Sequence, residues 1–200
     1  MFRSIIALNV QETGYHFLER NRITVAGCEI HTYEKTETKH WIASSIEEEK
    51  MLLGKLKDFL ESFDLQRTLI ITYDGKEYDF KILMTRAMIH DINLSIVLSF
   101  QHIDLYDFLK KNTRLGVKNI FDVAYVLKCK SVGDASYKDE LKMISPNALA
   151  IEGNMKGLAE YNSTLLSAIY EIFQKIKPYL FPEFKMELLD YKFSQESIFG

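Results

Sequence analysis

Thr72-Tyr73-Asp74-Gly75-Lys76-Glu77-Tyr78-Asp79-Phe80 marks a change of backbone habit in this chain. Before it, Leu69 to Thr72 is an apolar run with β-branched residues; after it, Phe80, Leu83, Met84 and Ala87 recur at helical spacing. Asp74-Gly75 supplies the turn between them. The stretch therefore reads strand, turn, helix, and Asp79 falls in the first helical turn, where the helix dipole favours an anion. A carboxylate in that place either compensates the dipole or, where a strand has just left its sheet, binds a ligand.

Working outward, Ser4 to Val10 is a short apolar strand whose end carries Asn9 and Gln11, two apart and so on one face. Ile23 to Ile30 and Lys35 to Ile42 read as an antiparallel pair. Ile46 to Phe63 is an amphipathic helix, with Glu47 to Glu49 expected as its solvated, dipole-favoured start. Beyond the central stretch, Val97 to Leu105 reads as a strand, Leu105 to Lys111 and Asn119 to Lys128 as helices, and Gly133 to Pro146 as irregular, with a short helix over Lys138 to Met143. Met155 to Lys177 carries one apolar stripe, Leu158, Tyr161, Leu165, Ala168, Ile169, Ile172 and Ile176, and Pro178 is expected to end it. The sum is an α/β chain: a mixed sheet, antiparallel strands first and parallel strands after, flanked by helices.

The 200 residues suit one domain over residues 1–180 with a tail over 181–200. A formal charge of −3 confines any phosphate-binding surface to a local patch. Cys28 and Cys129, far apart, make neither a disulfide framework nor a zinc site, which points to a reducing, intracellular and cytoplasmic setting. No run approaches the length of a membrane helix, and no membrane partner is expected.

A polar pair ending the first strand, an acid opening the helix after a central strand, and a tyrosine on a late helix suit two-metal phosphodiester hydrolysis, where carboxylates from separate elements converge. The order of these motifs resembles the 3′-to-5′ proofreading exonuclease domain of family B DNA polymerases, a ribonuclease H-like fold of the DEDD class, and its stand-alone relatives. The family's Asp-x-Glu motif is matched by Asn9-Val10-Gln11, its second motif by Tyr73, Asp74, Gly75, Tyr78 and Asp79, and its Tyr-xxx-Asp motif by Tyr161 to Leu165. His102-Ile103-Asp104-Leu105-Tyr106 and Asn119 to Ala124 resemble the segments between the second and third motifs.

Of the four metal carboxylates that this resemblance implies, only Asp79 is present; Asn9, Gln11 and Leu165 hold the other places. Asn for Asp and Gln for Glu are isosteric exchanges, as in a knocked-out enzyme, whereas Leu for Asp is not. Amides bind divalent ions feebly, so the expectation is an inactive site without a cofactor, with at most one weak ion at Asp79 and Asp74. The resemblance then implies a binding accessory in DNA replication or repair that holds single-stranded DNA or a DNA 3′ end. The alternatives are an exonuclease that still uses Mg²⁺ or Mn²⁺, and a protein-binding scaffold. Tyr73, Asp74 and Tyr78 are the expected strand contacts, with Lys110, Lys111, Arg114 and Lys118 as phosphate contacts; Phe80 and Tyr161 also fit apolar stripes. At the end of the tail, Gln195, Ile198 and Phe199 look like a shortened form of the peptides that dock on sliding clamps, against the plainer alternative of a tail packed on its own domain.

Overall fold

The computed structural model describes residues 2–13 and 21–181. Among these, five strands form one sheet in the order β3-β2-β1-β4-β5. They are β1 (Ser4–Glu12), β2 (Ile23–Thr32), β3 (Thr36–Ile42), β4 (Thr68–Thr72) and β5 (Gln101–Asp104). β1 and β2 pair antiparallel, as do β2 and β3, while β4 lies parallel to both β1 and β5. The mixed sheet read from the sequence is the one observed.

Alternation along β1 sends residues to two cores. Ile6, Leu8 and Val10 pack under α1 (Ile46–Glu61) and α2 (Asp79–Ile89). Ala7 faces α3 (Leu105–Asn112), α4 (Ile120–Val126) and the long α7 (Met155–Leu180). Between α4 and α7 stand α5 (Ala135–Met143) and α6 (Pro146–Ile151). The sequence leaves α6 unread, although Ser145 caps it by accepting from the Ala148 amide and Pro146 sits at its first turn, a common helix start.

Three other readings are corrected. Ser95–Leu98 is a 3-10 turn, and only Gln101–Asp104 of the expected Val97–Leu105 strand pairs with β4. Leu94, Val97 and Phe100 are buried at intervals of three, the 3-10 period rather than the strand period. α7 runs past Pro178 to Leu180, because the Phe181 amide still reaches the Lys177 carbonyl at 3.0 Å and Leu180 packs on the core. Glu49 is buried, not solvated: it shares the face of Leu52, Leu53 and Leu56, and its carboxylate takes Arg86, His90 and the Ile23 amide.

Candidate functional site

β4 accompanies β1 only from Ser4 to Ala7, so the last residues of β1 have no parallel neighbour. The gap where the two strands part, at the C-terminal end of β4, is the crevice position at which open α/β sheets receive ligands. The tight turn after β4 carries the chain across it. Asp74 adopts φ +61°, and a Cβ on Gly75 would lie 2.4 Å from the Thr72 side chain, so that turn accepts only glycine there. Asp104, the N-cap of α3, fastens the turn by accepting from the amides of Asp74 and Lys76 at 3.0 and 2.9 Å as well as from Tyr106 and Asp107.

Asp79 is delivered to the crevice at the start of α2, 1 % exposed. Its Oδ1 accepts from the Val10 amide at 3.1 Å, the backbone group left over where β1 has lost β4. Its Oδ2 is buried without a hydrogen-bond partner. Burial pushes the Asp79 carboxyl up to about 8; the Val10 amide and the Asn9 side chain pull it back, and the charges of Asp104 and Asp74 add to the rise. Burial, and then Asp104, raise Asp74 as well.

Opposite Asp79 stand amides. Gln11 Nε2 donates to Asn9 Oδ1 at 2.7 Å, and Asn162 Nδ2, from α7, donates to the same oxygen at 2.9 Å. Asn162 is wholly buried in a notch over Gly27 of β2, where a Cβ would lie 1.8 Å from its Oδ1. That oxygen has no partner. The sequence reading passes over Asn162, yet the signal is visible: it lies four residues after Leu158 and three before Leu165, a polar residue in the middle of an apolar stripe.

The other expected site residues divide. Leu165 is 7 % exposed and belongs to the core beneath α7, and Tyr161 packs edge-on to Phe121 at 5.8 Å. Tyr73 is 8 % exposed, donates its hydroxyl to the Val117 carbonyl and leans on Tyr106. Phe80 is buried against His102, 4.5 Å between rings. Tyr78, at 49 %, is the exposed aromatic of this set; its hydroxyl donates to Glu12 Oε1 at 2.6 Å, while Asn21 holds Glu12 Oε2. Lys118 lies close enough to Asp74 to stabilise its carboxylate. Lys110 sits over the Tyr106 ring, Lys111 pairs with Asp107, and Arg114 is exposed. Gln195, Ile198 and Phe199 lie outside the described residues.

The donor set does not fit two divalent ions. Asn9 Oδ1 already accepts two hydrogen bonds, Asp79 Oδ1 accepts a third, and no group of three His, Cys, Asp or Glu side chains among the described residues is placed to hold a metal. No helix among the described residues is long and apolar enough to cross a membrane.

Comparison with known proteins agrees with this fold. The model of the RNase_H superfamily matches residues 12–175. The family B DNA polymerase of the hyperthermophilic archaeon Pyrobaculum calidifontis superposes with a TM-score of 0.67 at 14 % identity, over 88 % of this chain and 25 % of the polymerase. The present chain thus spans about a quarter of that protein, and the likeness is one of fold. No curated protein matches the sequence.

Proposed function

This chain belongs to the ribonuclease H superfamily, and from that premise we propose that its crevice receives the 3′ end of a single-stranded nucleic acid and holds it without cutting it. The polymerase-like, exonuclease-like fold favours DNA as the strand and an accessory role in replication or repair as the setting. One observation carries the reading: where hydrolysis needs converging carboxylates, β1 and α7 present Asn9, Gln11 and Asn162, bonded to one another. Neutral amides also remove the repulsion that a cluster of acids would exert on a phosphate.

Tyr78, half-exposed beside the crevice, supplies a face on which a terminal base can stack, worth roughly 1–3 kcal/mol. Lys118 provides a cation near the turn, and Lys110, Lys111 and Arg114 extend the track for phosphates. A single cation, if it enters, has Asp79 Oδ2 and Asp74 as ligands.

The test is calorimetric titration of Mn²⁺ alongside retention of a labelled single strand. The expected result is no pair of tight ion sites, no shortening of the strand in Mg²⁺ or Mn²⁺, and retention in chelator that falls steeply with salt. Tyr78→Ala should weaken that retention by about tenfold. Two tight sites abolished by Asp79→Ala, together with shortening, would instead establish a metal-dependent exonuclease. Neither binding nor cleavage would leave a protein scaffold, to be followed by a sliding-clamp pull-down with and without residues 194–200.

A further inference from the structure

α1 and α2 lie over β1, β2 and β3 on their face of the sheet, and the outermost strand, β5, is left with an open flank. There a cleft of about 530 Å³ opens between α2, the 3-10 turn, β5 and the start of α3. Its walls are mainly apolar: Phe80, packed on the His102 ring, lines it together with Met84 and Leu98. This is a different place from the crevice: Asp79, Asn9 and Gln11 do not line it.

The charges around the cleft are nearly all accounted for. Lys81 pairs with Glu77, Asp107 with Lys111, and Asp104 accepts four backbone amides. The Lys76 ammonium has no ion pair among the described residues, and it stands at the edge of the cleft. The His102 ring, which lines the cleft, is fixed by a 2.8 Å hydrogen bond between its Nε2 and Thr72 Oγ1. Apolar walls, one fixed ring, one unpaired cation and a volume within the usual range for small ligands describe a site for a flat heterocycle carrying a negative group.

We propose that this cleft binds a nucleotide, its base against Phe80 and His102 and its phosphate at Lys76. The inference does not depend on strand-end binding in the crevice. A free mononucleotide and a nucleotide within a strand present the same base and phosphate, and the experiment separates them.

Methyl, imidazole and tyrosine-ring NMR of the full chain, titrated with deoxyadenosine monophosphate and separately with a short oligodeoxyadenosine, reads both sites. Shifts at the Met84 methyl and the His102 ring with both probes would support the cleft as a site for free nucleotides; shifts with the oligomer alone would support the strand as source. Lys76→Glu, an exposed substitution, should weaken cleft binding about tenfold and reduce the oligomer's salt slope by about 1. Met84→Trp, which fills the cleft, should abolish the cleft shifts and leave Tyr78 responsive. Shifts confined to Tyr78 and its neighbours would overturn the cleft and leave the strand-end reading standing. Identical cleft shifts with inorganic phosphate alone, or none with any probe, would overturn it as well.

Discussion

Replacing Glu49 with alanine lowers the free energy of unfolding by about 3–5 kcal/mol, read as a fall in the urea midpoint at unchanged slope. The side chain is fully buried at the start of α1. Oε1 accepts from the Ile23 amide at 2.7 Å and Arg86 Nε at 2.8 Å, and Oε2 from Arg86 Nη2 at 2.6 Å and His90 at 2.8 Å. One carboxylate thus ties α1 to α2 and to the start of β2, and its loss takes the charge partner from a buried guanidinium. A cost below about 1 kcal/mol would place the group with weak surface pairs and refute this account. Acidity provides a second readout. Burial pushes the Glu49 carboxyl up, but the bonds from Arg86, His90 and Ile23 more than reverse this and leave it below the ordinary range. Its contribution is therefore complete above the unfolded value of about 4.3 and is lost as pH falls through the depressed folded value. The unmodified protein should lose stability over that window more steeply than Glu49→Gln.

Gly27→Ala should destabilise by about 2–4 kcal/mol, more than the usual effect of one added methyl group. The new Cβ would stand 1.8 Å from Asn162 Oδ1 and 2.9 Å from the Leu166 side chain, so α7 must move or Asn162 must leave its notch. Leaving breaks the bond to Asn9. The diagnostic is the double variant: Asn162→Ala added to Gly27→Ala should recover part of the loss, and the two effects should fail to add by 1 kcal/mol or so. Simple additivity would show that the notch is looser than its distances indicate.

β1, β2 and β4 were legible because they are apolar runs rich in β-branched residues and bounded by turn residues, and the parallel and antiparallel halves follow from the order of strands and helices. Asn9 beside Gln11 followed from strand alternation, and Asp79 at a helix start from the turn before it. What escaped was set by tertiary partners. Nothing local distinguishes Glu49 from Glu47 and Glu48 except its phase relative to Leu52, Leu53 and Leu56, and that phase was there to be read. Asn162 was hidden by the third motif, which draws attention to Tyr161 and Leu165, while the residue that reaches β1 lies between them. Tyr73 stands in the motif, but no pattern in the sequence announces that the Val117 carbonyl will take its hydroxyl.

The bond from the Val10 amide to Asp79 gives that residue a second employer. Once β1 continues past the end of β4, a backbone donor faces a gap, and an acceptor has to be brought to it from outside the sheet. A carboxylate at the mouth of α2 meets that need whether or not any ion or strand is ever bound. An acid in this position is therefore a signature of how the sheet ends as much as of what the protein does, and a chain stripped of every other trace of chemistry would still have an architectural reason to keep it.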